Sequence, residues 1–225
     1  MTIERGNSHN LGSGALVKKH LMIAIDWYGP YSLSEAYEAA RTSFEPALYL
    51  CIGKRKYQRK KALQYVGIGK NVSTRIKENH HKLKHVSRER EIWLGEIGTA
   101  EPSGKKMKAT PATLDYAEWA YARFFDLPLN EKKTTGLPDR SFSVLNRWWM
   151  TDFETARKRR PHGDWPDLID YPDYDLPARK VWFGRQQQEL IHAPDYQRPG
   201  NPPLRGLNAP AVEDLSTEDK VLTFR

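Results

Sequence analysis

Four polar side chains in the middle of the chain are of the types that hydrolyse a phosphodiester bond. Two tyrosines, Tyr49 and Tyr65, are followed by Arg75 ten residues after the second, and by Glu118 farther on. Cleavage of this bond needs a base for the attacking water and positive charge beside the developing phosphorane oxygens. A guanidinium binds phosphate through two hydrogen bonds, and one glutamate is an adequate anchor for an Mg²⁺ ion that keeps several waters.

The two tyrosines need help from their surroundings to take part in this chemistry. The ordinary pKa of a phenol is about 10, so a tyrosine acts as a base near neutral pH only where positive charge lowers that pKa. Arg75 and a basic neighbouring segment can supply such a field. Without Arg75, Tyr49 and Tyr65 are better interpreted as ordinary aromatic residues on paired strands.

Positive charge is concentrated around this segment. The chain of 225 residues has a formal net charge of +8 and a pI of about 9.4. Residues 51–91 contain 13 Lys or Arg against three Glu, a net charge of +10, which leaves −2 for the rest. Such a patch favours a polyanionic partner, and we predict DNA. The predicted contacts to the nucleic-acid backbone are Lys54, Arg55, Lys56, Arg59, Lys60, Lys61 and Lys70.

Two short apolar segments position the tyrosines. Ala47–Ile52 lies between proline and glycine, Ala62–Ile68 ends among glycines, and both are predicted to be strands. The basic connection Gly53–Lys61 joins them into a hairpin, although it is longer than a tight turn. A helix capped by asparagine is predicted over residues 71–83, and it carries Arg75.

A third strand is predicted over Glu91–Ile97, and a longer helix follows it. Thr110 is the expected cap of this helix, Pro111 its first residue and Phe125 approximately its end. Glu118 lies among apolar neighbours in the helix, where a carboxylate costs free energy unless it is paired or metal-bound. A salt bridge to a buried arginine is the alternative to a metal.

The flanks are predicted to complete the domain. Leu21–Ile25 is expected to be a short buried strand, and Ser32 or Ser34 to cap a helix behind the Gly-Pro turn signal. Ser143–Trp149 is expected to form one more short packed element. A short helix is predicted over Trp182–Ile191.

The chain is predicted to divide into three parts. Residues 1–45 form an N-terminal arm and a helix that packs on the core, and residues 46–150 form the core. Residues 151–225 form a C-terminal extension whose tail is rich in proline, glycine and charge, and is expected to be extended or disordered.

The order of these features resembles the GIY-YIG nuclease family over residues 46–131. That family has a GIY strand, a YIG strand, an arginine on the first helix, a metal-binding glutamate on a later helix and often an asparagine beyond it. Tyr49, Tyr65, Arg75 and Glu118 stand at the matching places. The resemblance implies an α+β fold: a small, mainly antiparallel three-stranded GIY-YIG sheet flanked by helices, here with N- and C-terminal extensions.

The resemblance also implies roles. Tyr49 is expected to be the general base, directly or through water, and Tyr65 to orient the water or the phosphate. Arg75 is expected to bind the scissile phosphate, and Glu118 to hold one Mg²⁺ or Mn²⁺ ion. Asn130 is expected to brace the site or to contact the substrate backbone.

Two of these assignments have competitors. Asn146 competes with Asn130 because the position of the family's asparagine varies, and Asn130 is also of a type that terminates helices. Many members carry a histidine or tyrosine one turn after the arginine, where this chain has Asn79 followed by His80 and His81. We take His80 as the candidate fourth catalytic group; the alternative is that these histidines are solvated surface residues.

The chain also departs from the family in its first motif. Ala47 and Leu48 replace the glycine and isoleucine of GIY, which keeps the strand apolar. The two tyrosines are 16 residues apart, a longer gap than is usual in the family. The extra length is the basic connection, which is interpreted as a DNA-contacting insertion.

Together these features predict a metal-dependent DNA endonuclease, by analogy one of restriction or anti-phage defence. The alternatives are a catalytically silent nucleic-acid-binding module and a nuclease directed at single strands or RNA. Double-strand cleavage by one site per chain needs two copies, so a homodimer is expected at least on DNA. No apolar run approaches the about 20 residues that span a bilayer, so no membrane partner is expected. A single cysteine favours a cytoplasmic location, on the nucleoid in a bacterium.

Overall fold

The computed structural model describes residues 20–44, 46–77, 79–98, 110–134, 136–172, 176–185, 187–191 and 221–223. Strands dominate these ranges, with three short α-helices among them. In chain order the elements are β1 Leu21–Tyr31, α1 Leu33–Ser43, β2 Ala47–Lys54, β3 Ala62–Gly69, α2 Val72–Arg75, β4 Arg88–Gly98, α3 Pro111–Phe124, β5 Phe142–Trp149, β6 Leu168–Tyr171, β7 Ala178–Trp182, β8 Gln187–Ile191 and β9 Val221–Thr223.

One curled sheet joins the strands. Its order is β3-β2-β4-β1-β5-β6-β7-β8, and the three-residue β9 pairs with β8 at the far edge. Neighbouring strands are antiparallel except β1 and β5. These two run parallel, in register from the pair Leu21–Phe142 to the pair Tyr28–Trp149.

The predicted α+β fold with a small three-stranded GIY-YIG sheet is therefore wrong, because the protein is mainly β. Strands β3, β2 and β4 form an antiparallel group, but they are one end of an eight-stranded mixed sheet. The strand β1, expected to stop at Ile25, continues to Tyr31 with an irregular register beyond Tyr28. It pairs on both sides, which satisfies the backbone groups that an edge would expose.

Two helices begin where their capping residues predict. The Ser32 side chain accepts a hydrogen bond from the backbone of Glu35, whose carboxylate accepts one from the backbone of Ser32. This capping box starts α1. Thr110 caps α3 and Pro111 takes its first position.

The helix predicted over residues 71–83 is much shorter than expected. α2 ends at Arg75, and only a short 3₁₀ helix, Leu83–His85, follows. Between them the His80 ring accepts the backbone N–H groups of Lys82 and Leu83, which replaces hydrogen bonds that a continuous helix would make. The hydrogen bonds of the His80 side chain to the local backbone therefore compete with continuation of the helix beyond Arg75.

The helix predicted over Trp182–Ile191 is also wrong. Gln187–Ile191 is strand β8, paired with β7 along its length, and Phe183–Arg185 forms a 3₁₀ turn between the two strands. Cross-strand pairing thus decides a segment in which local composition is ambiguous. Ser143–Trp149, expected as a short packed element, lies in strand β5.

Apolar clusters lie on the two faces of the sheet. The larger one packs α3 against the sheet and includes Trp27, Trp93, Trp165 and Tyr121. The smaller one includes residues of α1 and α2 and the buried ring of Tyr49. Burial of this size is the main favourable term in folding.

Residues 1–19, the loop 100–109 and most of the C-terminal tail lie outside the described residues. The division into 1–45, 46–150 and 151–225 stays a prediction. In the part of the chain that the structure describes, no helix is long and apolar enough to cross a membrane.

Candidate active site

Tyr49 lies at the centre of the three-strand end of the sheet. Its partners are Gly67 on β3 and Leu94 on β4, and its side chain is fully buried. The ring lies over Gly67 so closely that a Cβ atom at that position would be 2.6 Å from Tyr49 Cζ and Oη. Only glycine at position 67 lets the phenol occupy this place, since real Cβ contacts do not approach so closely.

Tyr65 lies beside Tyr49 on the same face. It pairs with Cys51, two residues along β2 from Tyr49, and the two rings have centroids 5.8 Å apart. Tyr65 is only half-buried, whereas Tyr49 is sealed from solvent. Tyr65 is therefore the phenol that a water molecule or a substrate can reach.

His80 joins this pair through a fixed ring orientation. Its Nδ1 accepts the backbone N–H groups of Lys82 and Leu83, each at 3.1 Å, and its Nε2 lies 3.1 Å from Tyr49 Oη. Because Nδ1 is an acceptor, the proton of the neutral ring is on Nε2, which donates to the phenol oxygen. Burial, with the positive charge of Arg75 among its neighbours, lowers the pKa of His80 to about 4.

The electrostatics of the two phenols differ in a useful way. Burial raises the pKa of Tyr49 far above its usual value, and the neighbouring phenol raises it further, while the positive charge of Arg75 opposes the shift. Burial also raises the pKa of Tyr65, but its hydrogen-bonding interaction with Tyr49 lowers it. Both phenols thus have a raised pKa, and the interaction between them makes Tyr65 the easier of the two to ionise, which is the opposite of the order that the family resemblance implies for the base.

Arg75 stands at the mouth of this cluster. It is the exposed last residue of α2, and its Cγ lies 3.3 Å from the place of a Cβ atom on Gly69, so the stem packs over the end of β3. Among the described residues its guanidinium has no carboxylate partner.

A cleft runs from Arg75 to α3. Its volume is about 920 Å³, and Gly69, Lys70 and Arg75 line one side while Leu114 and Asp115 line the other. The cleft connects the arginine with the helix that carries the candidate metal-binding glutamate. Lys70, one of the predicted backbone contacts, is exposed beside it.

Glu118 lies on α3 with Asp115 one turn before it. Lys133 Nζ is 2.6 Å from Glu118 Oε2 and 2.5 Å from Asp115 Oδ1. The alternative interpretation of Glu118, an ion pair, is thus present in the structure, with a lysine instead of an arginine. The negative charge of Glu118 also contributes to raising the pKa of both Tyr49 and Tyr65, so its carboxylate lies within electrostatic reach of the phenols.

The oxygen atoms around Lys133 are chemically suited to a hard divalent cation. Two carboxylates converge on one cationic atom, and Mg²⁺ needs few protein oxygens because it keeps several waters. In the described ranges, no group of three or more His, Cys, Asp or Glu residues is arranged to hold a metal. The donor set therefore fits Mg²⁺ or Mn²⁺ at Glu118 and Asp115.

The two candidate asparagines have different surroundings. Asn130 donates to the carbonyl of Val66 and accepts its N–H, both at 2.9 Å, so it braces the strand that carries Tyr65. Asn146 lies in the core instead, where it accepts hydrogen bonds from Trp27 and Tyr121. Of the two, Asn130 is the one next to the phenols.

The basic connection between β2 and β3 is partly neutralised. Lys54 pairs with Glu89 and Lys61 with Glu91. In the part of the chain that the structure describes, no carboxylate partner faces the remaining cations of this loop, and all of them are exposed. These free cations are Arg55, Lys56, Arg59 and Lys60.

Sequence reasoning missed Asp115 and Lys133. The three-residue spacing of Asp115 and Glu118 on a predicted helix is a signal that places both carboxylates on one face. Lys133 gives no comparable signal, because it comes from a loop beyond the helix. His81, the neighbour of His80, stacks on that ring with centroids 4.7 Å apart and stays exposed.

Comparison with protein-family models, with curated proteins and with solved structures found no match to this chain.

Proposed function

We propose that this chain is a metal-dependent endonuclease that hydrolyses phosphodiester bonds in DNA, with site chemistry like that of GIY-YIG nucleases. The observation that carries the proposal is the meeting of Tyr49, Tyr65 and His80 in one polar cluster beside the exposed guanidinium of Arg75. Such a set of groups is unusual for a purely structural role, because buried polar side chains cost free energy.

In the proposed reaction Arg75 binds the scissile phosphate and stabilises the charge that develops on its oxygens. Tyr65 first gives its phenolic proton to solvent, and its phenolate then faces the attacking water and accepts a proton from it. Tyr49 lies beside Tyr65, with ring centroids 5.8 Å apart, and its interaction with Tyr65 lowers the pKa of that phenol, while His80 holds Tyr49 in place through Nε2–H. The interaction with Tyr49 lowers the pKa of Tyr65 and so favours the phenolate form, which is the form able to accept the proton of the water.

Glu118 and Asp115 are the residues that would hold Mg²⁺ or Mn²⁺, which when bound supplies positive charge to the phosphate and the leaving oxygen. Asn130 keeps β3 in register beside the site through its two bonds to Val66. The free cations of the β2–β3 connection bind the nucleic-acid backbone. A role in restriction or anti-phage defence, an intracellular location and a second copy of the chain on DNA remain parts of this proposal.

The test is a nicking assay on supercoiled plasmid with Mg²⁺ or Mn²⁺, combined with a DNA-binding measurement. We expect Glu118→Gln to abolish nicking and Arg75→Ala to slow it by about a hundredfold, with binding largely kept. Lys77→Ala removes an exposed charge of the same segment and is the matched control.

Three outcomes contradict the proposal in different ways. Binding without cutting under any divalent metal indicates a silent binding module. Preference for RNA or single-stranded DNA indicates a nuclease of another substrate class. Nicking by Arg75→Ala at the wild-type rate removes this arginine from the site.

A further inference from the structure

Lys133 joins two carboxylates of α3, the half-exposed Asp115 and the more buried Glu118. Its ammonium group contacts Asp115 Oδ1 at 2.5 Å, Glu118 Oε2 at 2.6 Å and the backbone carbonyl of Asp115 at 3.2 Å. The side chains of Lys133 and Glu118 are each 19% exposed. Three oxygen atoms from one helix turn are thus gathered around a single positive atom.

The backbone of Lys133 is unusual as well. Its φ angle is +59°, in the left-handed region that non-glycine residues rarely adopt. A lysine held in this conformation indicates that surrounding contacts maintain it. The ammonium group of Lys133 makes three contacts to α3 from this conformation.

The same oxygens are those that would hold a divalent ion. A carboxylate oxygen already bound to an ammonium group cannot bind a metal at the same place, since the two cations repel each other. Without Lys133, Asp115 and Glu118 would face each other as like charges on one face of α3, which disfavours the empty site. The lysine therefore stabilises the metal-free state.

We propose that Lys133 is a built-in cation that competes with the divalent metal for Glu118 and Asp115, and so sets the metal concentration at which the site is loaded. This inference rests on the proposed function, because it takes Glu118 as the metal anchor. Loading the site displaces the Lys133 ammonium from its oxygens. The exchange of one cation for another links metal binding to the loop that carries Lys133.

The test is calorimetric titration of Mn²⁺ into the full chain at constant ionic strength, without DNA. Lys133→Met keeps the aliphatic stem and removes the charge, and we expect it to tighten Mn²⁺ binding about tenfold or more. Lys132→Met, at the exposed neighbouring position, is the matched control and should change the affinity less than about twofold. Adding Glu118→Gln to Lys133→Met should abolish the gain.

Thermal unfolding gives a second measurement that does not depend on catalysis. Metal-free Lys133→Met should melt below the wild type because its two carboxylates repel, and saturating Mn²⁺ should raise its Tm more than that of the wild type. Lys133→Arg keeps a cation in place and should retain the affinity of the wild type within a few-fold. Lys133→Gln also removes the charge, should tighten Mn²⁺ binding as Lys133→Met does, and keeps the test decisive if Lys133→Met folds poorly.

Unchanged or weaker Mn²⁺ binding by Lys133→Met overturns the inference, as does a gain that survives Glu118→Gln. Plasmid nicking separates this result from the proposed function. A wild type that nicks DNA while Lys133→Met binds Mn²⁺ no more tightly refutes the competition alone. A chain that never nicks DNA, but gains Mn²⁺ affinity in Lys133→Met, refutes the nuclease and leaves the competition standing.

Discussion

The two sides of the candidate site are built by different forces. On one side Tyr49, Tyr65 and His80 are held by packing and by hydrogen bonds to fixed backbone groups. On the other side Asp115 and Glu118 are held by ion pairs to a lysine from a loop. The first arrangement is set by the fold. In our proposal the second exchanges Lys133 for a divalent cation, so the phenols are preorganised and the carboxylates change partner.

The largest expected effect tests the unequal roles of the two phenols. Tyr65→Phe removes the solvent-facing group and should lower the nicking rate by about a hundredfold or more, as expected for loss of a general base. Tyr49→Phe keeps the ring over Gly67 and removes only the hydroxyl that interacts with Tyr65 and His80. The expected loss of nicking rate is therefore about tenfold. Single-turnover cleavage rates measure both, and a larger loss in Tyr49→Phe would restore the order that the resemblance implies.

A smaller effect is expected in the pH dependence of stability. The pKa of His80 is about 4 in the folded chain against the ordinary 6.5, so the unfolded chain takes up a proton first as the pH falls. The stabilisation from neutral His80 is therefore complete above about pH 6.5 and is lost towards pH 4, by on the order of 2 kcal/mol.

His80→Asn isolates this contribution, because an amide oxygen accepts the same backbone N–H groups and does not titrate. Urea unfolding between pH 7.5 and 4.5 should show the stability of the wild type falling faster than that of the variant. The exposed His85, changed to Asn, is the control. Parallel stability curves for the wild type and His80→Asn would show that the histidine is not buried in its neutral form.

The smallest expected effect is on the salt dependence of DNA binding, and it compares the unpaired with the paired cations of the basic connection. Arg59 and Lys60 are exposed without carboxylate partners among the described residues, whereas Lys54 and Lys61 are paired with glutamates. Replacing Arg59 or Lys60 by Ala should reduce the slope of log K against log salt by about 1 each.

Lys54→Ala and Lys61→Ala are the matched controls and should reduce that slope less, because each lysine already has a counter-charge in the protein. Fluorescence anisotropy with a labelled duplex at several salt concentrations measures the four slopes. Equal changes in all four variants would show that the ion pairs open when DNA binds.

Local signals in the sequence predict part of this architecture well. The caps at Ser32 and Thr110 and the two tyrosine-bearing strands depend on neighbours within a few residues, and each is present as expected. The parallel pairing of β1 with β5 joins residues about 120 positions apart, and no local pattern contains it. For this reason the size of the sheet was missed while its three-strand end was found.

The candidate site divides in the same way. The predicted residues Tyr49, Tyr65 and His80 meet because neighbouring strands and one short loop carry them. The ion pair of Lys133 with Glu118 depends on the path of a loop that comes after α3. Sequence patterns thus predict the functional side chains that lie on strands and helices. The counter-ions that loops supply become visible only in the three-dimensional structure.

The bonds of Asn130 have a consequence for assembly. Strand β3 is the outer strand of the sheet at this end. The Asn130 amide hydrogen-bonds to the outward-facing N–H and C=O groups of Val66, which are the groups that an added strand would use. The backbone N–H of Leu129 takes the carbonyl of Gln64 as well. A second chain cannot extend the sheet there by strand addition without displacing these bonds. Two copies that meet on one duplex therefore have to do so through side chains or through another border of the molecule.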